Sequence, residues 1–260
     1  HAVMTHFSFL ATGDHHFDEH RRFDECQRIH RFVSDEAHRL AVDAVLSGGD
    51  LHDRASTPDE RHAVADWLTG LGRPFVLAKG NHDKPRDCTL LSRLKSTYPI
   101  LVEEAAGIHH VGPAAILAVA WPNRASIAAM LGQPVSGSAI DDVAREALRN
   151  VLRAFGMQLA QHQGPRILLM HAMVDGAITS TGQPLIGSEL RIGLEDVALS
   201  QADIVILDHI HAPQDWVFGG MPIIYTGSPY RTAYGEVEAK SVVHATFDWE
   251  PEGDRRMQMA

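Results

Sequence analysis

The 260-residue sequence predicts an α/β domain that closes on an antiparallel, β-rich end. Three observations predict it. Short apolar runs of β type alternate with longer stretches of helical spacing as far as residue 207. No Pro/Gly/Ser tract is long enough to divide the chain, and no internal repeat is visible. After residue 214 the pattern changes to short strands joined by Gly and Pro turns.

The strands follow in order: "FSFLA" (7 to 11), "AVLSG" (44 to 48), "FVLA" (75 to 78), "AAILAVA" (114 to 120), "RILLM" (166 to 170) and "ADIVIL" (202 to 207). Each is apolar without alternation, which suits strands covered on both faces. The clearest helix spans about 139 to 162, where Ile140, Val143, Ala147, Val151 and Phe155 recur at helical spacing. Asp141 and Asp142 suit its positive N-terminal end. The closing strands are "DWVF", "PIIYTG" and "SVVHATFDW". One domain over residues 4–250 is expected. The leading "HAV" reads as an added remnant, and residues 251–260 read as a tail.

A formal net charge of −10 argues against a broad basic surface for gripping polyanions, so any phosphate must be met locally. Cys26 and Cys88 lie far apart with no CxxC, which predicts two free thiols. No apolar run approaches membrane-spanning length and no signal-peptide pattern is seen, so the expectation is a soluble, cytoplasmic protein with no membrane contact.

Position sorts the 17 histidines. Asp14 and His16 follow the first strand, Asp50 the second, Asn81 and His82 the third, His171 the fifth, and His209 and His211 the sixth. In open α/β sheets that strand-end edge is where ligands bind. Asp, His and Asn without Cys suit manganese, iron or zinc. The two-residue spacing of Asp14 with His16, and of His209 with His211, puts each pair on one side of an extended segment. Seven donors exceed the needs of one tetrahedral ion; two divalent ions about 3.5–4 Å apart, sharing the Asp50 carboxylate, would use them all.

In order, "GDHH" (13 to 16), "GGDLHDR" (48 to 54), "KGNHD" (79 to 83), "LLMHA" (168 to 172) and "DHIH" (208 to 211) resemble the five signature motifs of the calcineurin-like metallophosphoesterases. "HIHAPQ" followed by "IIYTGSPYRTAYGEVEAKSV" (223 to 242) resembles, within that superfamily, the SbcD-type DNA repair exonucleases. The resemblance implies a four-layer αββα sandwich and a dimetal phosphodiesterase site that uses metal-activated water, with manganese the expected ion. It assigns Asp14, His16, Asp50 and His211 to one metal, and Asp50, Asn81, His171 and His209 to the other. His82 would act on the substrate phosphate or leaving oxygen, with Asp83 orienting it. DNA ends or single strands are the implied substrate. Full-length nucleases of this type also carry a capping domain and a segment that docks on an SMC-like ATPase; residues 251–260 are expected to supply neither.

One position departs from the family pattern. Asp208 stands where glycine is usual, and aspartate is among the few residues that tolerate a left-handed turn. Two readings of it are a hydrogen bond to a ligand histidine and simple solvent exposure. His52, Arg54 and Arg231 are candidate substrate contacts, with Lys84 and Arg86 further cations near the motifs. His30, His38 and His62 are read as surface groups on helices, and His15 as pointing away from the ligands. Two other functions are compatible with the motifs: a phosphodiesterase or phosphatase for small substrates such as cyclic nucleotides, and a non-catalytic scaffold.

Overall fold

A computed structural model describes residues 5–124, 127, 132, 139–181, 189–249 and 255–259. Two six-stranded sheets pack face to face. In chain order the strands of the first sheet are β1 (Thr5–Thr12), β2 (Ala44–Ser47), β3 (Phe75–Ala78), β4 (Ile100–Glu103), β13 (Val243–Trp249) and β14 (Arg255–Met259). Those of the second are β5 (Ala106–Val111), β6 (Ala114–Val119), β7 (Arg166–His171), β10 (Ile204–Asp208), β11 (Gln214–Phe218) and β12 (Met221–Tyr225). Their spatial orders are β14-β13-β1-β2-β3-β4 and β11-β12-β10-β7-β6-β5. A parallel pair, β8 (Met173–Val174) and β9 (Arg191–Ile192), stands apart.

Side-chain alternation builds the layers. Phe7, Phe9 and Ala11 of β1, Ala44 and Leu46 of β2, and Val76 and Ala78 of β3 face the second sheet. That sheet answers with Ala114, Ile116 and Ala118 of β6, Ile167 and Leu169 of β7, and Ile204 and Ile206 of β10. The alternate residues face outward, because successive side chains on a strand leave opposite faces. Leu10, Val45, Phe75 and Leu77 pack under α1 (Phe23–Arg39) and α2 (Pro58–Gly70). Leu117, Leu168, Met170, Val205 and Leu207 pack under α4 (Ala139–Leu159) and α5 (Leu194–Ala198). The result is the four-layer αββα sandwich, and it explains why the central strands read as unbroken apolar runs. The short α3 (Pro85–Leu91) connects β3 to β4.

Three sequence expectations are revised. The buried ridge of α4 is Ile140, Ala144, Leu148, Leu152 and Leu159. Val143, Ala147, Val151 and Phe155 are only half-buried, because the burial of this amphipathic helix centres one residue further along. Residues 255–259, expected in a tail, pair as β14 against β13. His30, expected at the surface, is buried: its ring donates from Nδ1 to the Cys26 carbonyl at 2.6 Å and sits 2.7 Å from Nδ1 of His15. His15 does turn away from the ligands, with its Nε2 3.2 Å from Ser47 Oγ. Residues 1–4, 250–254 and 260 lie outside the described residues, and with them the expected remnant and part of the expected tail.

Candidate metal centre

The parallel strands end side by side, and the loops beyond their ends meet between the sheets. Asp14 lies two residues past β1, Asp50 three past β2 and Asn81 three past β3; His171 is the last residue of β7, and His209 comes directly after β10. Backbone bonds lace the loops together: Asp14 N donates to Gly49 O (3.0 Å), His16 N to Asp50 O (2.9 Å) and Phe17 N to Leu51 O (2.8 Å). Asp14, His16, Asp50 and His209 all have positive φ, at 50°, 43°, 52° and 111°. For residues other than glycine each such angle costs about 1–3 kcal/mol, and such strain concentrates at functional sites.

The donor atoms converge. One group joins Asp14, His16 and His211, another joins Asp14, Asp50 and His171, and a third joins His16, Asp50 and His82, each with ligand atoms within 4.8 Å of one another. Asn81 Oδ1 lies 2.8 Å from His171 Nε2 and 3.2 Å from His209 Nδ1. The carboxylates are aimed by main-chain donors: His209 N donates to both Asp14 oxygens (3.1 and 3.0 Å), and His82 N donates to Asp50 Oδ1 (2.7 Å).

Proton counting shows that cations fit. His171 presents Nδ1 to Gly48 O at 2.8 Å, and Nε2 to Asn81 Oδ1 at 2.8 Å and Asp50 Oδ2 at 3.4 Å. The Gly48 carbonyl and the Asn81 amide oxygen can only accept. Burial, reinforced by neighbouring imidazoles, holds the ring well below its ordinary pKa, so it has one proton for two acceptor-facing nitrogens. His16 and His211 pose the same problem. Their Nδ1 atoms face the carboxylates of Asp53 (3.2 Å) and Glu236 (3.0 Å), which leaves two Nε2 atoms facing each other at 3.1 Å. Divalent ions at the inner nitrogens, one beside His171 and one beside His16 and His211, would resolve both conflicts. Without one, a proton is drawn in: burial alone would lower the pKa of His16, yet the Asp53 hydrogen bond and the Asp50 and Asp14 charges raise it to about 9. Asp50 is pushed well above the carboxylate range by burial.

Each ligand-type histidine meets an acceptor on its outer nitrogen: His171 and His211 are hydrogen-bonded to the Gly48 carbonyl and to Glu236, while His16 Nδ1 and His209 Nε2 lie at ion-pair distance from Asp53 (3.2 Å) and Glu189 (3.3 Å). Such partners fix the ring and its tautomer. Burial would raise the pKa of Glu236, but hydrogen bonds from His211 and Lys240 bring it down to about 2.

Residues 7–234 match the family model of the calcineurin-like phosphoesterases. The chain belongs to that family. It is accordingly a metal-dependent phosphoesterase, a hydrolase. The sequence is 28% identical over 234 residues to the DNA double-strand break repair protein Mre11 of Aeropyrum pernix, covering 86% of this chain and 52% of that protein. The chain therefore spans about half the length of that curated relative. Among solved structures, a dimetal phosphatase from Danio rerio superposes with a TM-score of 0.60 at 12% identity, covering 96% of this chain and 98% of the other. GAP50, the anchor in the inner membrane complex of Plasmodium, does so at 0.57 and 14%, covering 96% and 86%. These two likenesses concern the fold. Among the described residues no helix is long and apolar enough to cross a membrane.

Other residues of this phosphoesterase are placed differently from the sequence expectation. Asp83 does not hold the His82 ring. Its carboxylate accepts from the backbone N–H of Asp50 (2.8 Å), Leu51 (2.9 Å) and Gly80 (3.0 Å), so it fixes the Asp50 loop. The His82 ring donates from Nδ1 to the Asp53 carbonyl at 2.6 Å. Asp208 is neither exposed nor left-handed nor bonded to a ligand histidine. It ends β10 fully buried, accepts from Gly48 N at 2.7 Å and from the Thr226 hydroxyl, and leaves the positive φ to His209. Its carboxyl fills the space that a Cβ at Gly13 or Gly48 would need. Burial and the Asp14 charge push its pKa well above the carboxylate range.

His52 is buried and does not line the central cavity. Arg54 is committed to Asp18 and Glu60, at 2.9 Å each. Lys84 and Arg86 are exposed, outside the cavity wall. Arg231 lies in the adjoining cleft. Sequence reasoning overlooked Glu189 and Glu236, which have no spacing signal of their own, and Arg21 and Arg22, which line the cavity.

Proposed function

We propose that this phosphoesterase is a two-metal nuclease acting on DNA ends or single strands. The observation that carries the reading is a cleft leading away from the donor cluster. The inner cavity, about 110 Å³, is lined by His16, Asp50, Asn81 and His82 and by Arg21 and Arg22. It adjoins a wider cleft of about 830 Å³ that shares both arginines and adds Arg231 and Tyr234. The inner space suits a phosphate group and the outer one a nucleotide, with arginines for the next phosphate and a fully exposed tyrosine on which a base can stack. A small diester would leave the outer cleft unused. The Aeropyrum pernix relative, named for DNA double-strand break repair, supports the same choice.

In this reading Asp14, His16, Asp50 and His211 hold one ion, and Asp50, Asn81, His171 and His209 the other, with manganese the proposed metal and iron or zinc compatible with the donors. When bound, the two ions supply Lewis acidity and water of lowered pKa. His82 lines the cavity, and because a carbonyl can only accept, its Nδ1 carries the proton and Nε2 is left for the substrate. Burial lowers its pKa, so the free ring is neutral. A phosphate anion beside it raises its proton affinity, which lets Nε2 carry a proton to the leaving oxygen.

The test is manganese-loaded protein on single-stranded, blunt linear and closed circular DNA, with bis(p-nitrophenyl) phosphate in parallel. Cleavage of the first two with the circle spared is expected. Turnover of the small diester alone would overturn the nuclease reading in favour of a small-substrate phosphodiesterase, and no turnover of any substrate would favour a scaffold.

A further inference from the structure

Four histidines face the cluster, and the tethers on their outer nitrogens differ in kind. His211 is gripped at both ends. Glu236 Oε1 lies 3.0 Å from its Nδ1, while Lys240 Nζ donates to its backbone carbonyl at 3.1 Å and to Glu236 Oε2 at 2.7 Å. Thr232 Oγ sits 2.9 Å from the same Nδ1, and its hydroxyl donates to Glu236 at 3.0 Å. The Glu236 side chain is fully buried, so this is a built clamp and not a surface pairing.

His209 is approached from elsewhere in the chain by a carboxylate at ion-pair distance. Glu189 Oε1 lies 3.3 Å from its Nε2, with a side chain only 4% exposed, and the Trp121 ring covers the imidazole at 4.7 Å between centroids. Asp53, the tether of His16, is half-buried and lines the cavity, so it also faces any substrate. Glu189 and Glu236 are absent from that wall; Glu236 borders the wider cleft beyond it, and the contact of each with the donor cluster runs through a histidine.

We infer that Glu236 and Glu189 are positioning residues that set the affinities of the two ions separately. Glu236, with Lys240, governs the ion assigned to Asp14, His16, Asp50 and His211; Glu189 governs the one assigned to Asp50, Asn81, His171 and His209. The inference rests on the two-ion reading of the site. A carboxylate hydrogen-bonded to the outer nitrogen, as Glu236 is to His211, fixes the tautomer with the inner lone pair free, and a carboxylate charge beside that nitrogen, as Glu189 is beside His209, makes the imidazole a stronger donor. Because each carboxylate touches one histidine, and the two histidines belong to different donor sets, the effects separate.

The experiment is calorimetric titration of Mn2+ into metal-free wild type, Glu236→Gln and Glu189→Gln, followed by anomalous scattering from crystals at sub-saturating Mn2+. Glutamine keeps the volume and an acceptor but removes the charge. Wild type is expected to bind two ions. Each variant should weaken one ion by about 10–100-fold and leave the other within about threefold, with Glu236→Gln depleting the position beside His211 and Glu189→Gln that beside His209. Metal-free Glu236→Gln is expected to unfold more readily than metal-free wild type, because Lys240 loses a buried partner; the readout that a merely structural role would not give is loss of one ion with the other retained. Should Glu236→Gln fail to fold, Lys240→Met tests the same clamp, with a loss at the His211 position alone. Equal weakening of both ions in either variant, or unchanged binding, would overturn the inference while leaving the two-ion reading intact. Fewer than two ions in wild type would overturn both.

Discussion

At His82 the geometry separates binding from chemistry. Its ring lies in the cavity wall and its Nδ1 is occupied by the Asp53 carbonyl, while the seven proposed metal donors are complete without it. His82→Ala should therefore keep full metal content while kcat falls by about two to four decades, the usual worth of a lost proton donor. Loss of metal together with activity, measured by elemental analysis alongside the assay, would make His82 a ligand instead. The donors and His82 were legible in the sequence because their identities mark the chemistry and their places follow strand ends. Their tethers were not. Glu189 and Glu236 are two acids among 33 Asp and Glu residues, and only the fold brings them to His209 and His211. Asp208 was misread for a related reason: what makes room for it is the missing Cβ at Gly13 and Gly48, far away in sequence.

At the scale of elements, α4 gives a direct check on packing. Leu152 is fully buried against the second sheet and Val151 beside it is half-buried. Leu152→Ala should cost about 2–5 kcal/mol in denaturant unfolding, and Val151→Ala about 1 kcal/mol or less. The reverse order would restore the helical face read from sequence. That reading located the helix but not its face, since Val143, Ala147, Val151 and Phe155 match helical spacing about as well as the true ridge, and only the sheet decides between them.

Helix α1 offers a second check, through His30, which links it to the loop after β1. Burial lowers the pKa of His30 from 6.5 to about 4, against the opposing pull of the Cys26 carbonyl. Because the folded-state value is depressed, the unfolded chain takes up the proton first, and stability falls as pH drops from 6.5 towards 4. The loss attributable to this ring is about 3 kcal/mol by the lower limit of that window. His30→Gln should remove it, so the stability gap between wild type and variant narrows across those pH values; parallel curves would contradict the assignment.

For the molecule as a whole, charge limits how DNA is held. The chain has 23 basic against 33 acidic residues, and the cleft beside the metal centre offers Arg21 and Arg231, its third arginine, Arg22, being paired with Glu25 at 2.7 Å. With about 0.7–0.9 of a logarithmic unit per neutralised phosphate, two contacts give a salt slope of magnitude about 1–2. Weak, sequence-independent binding with a shallow slope and a preference for ends or single strands is the expectation. Tight binding to closed duplex with a steep slope would reveal a basic groove elsewhere. The sandwich itself was legible through the ordered motifs and the unbroken apolar strands. The cleft was not, because the loop after β1 and the loop after β12 form it together. Everything proposed for the site depends on two ions sharing Asp50, whose carboxylate lies within reach of His16 and His82 on one side and His171 on the other. The most direct measurement is the metal content and phosphodiesterase activity of wild type and Asp50→Ala, side by side after manganese loading and desalting. Two equivalents and activity in the wild type, with both ions and the activity lost in the variant, is the predicted result; a variant that keeps two ions and full activity would contradict it.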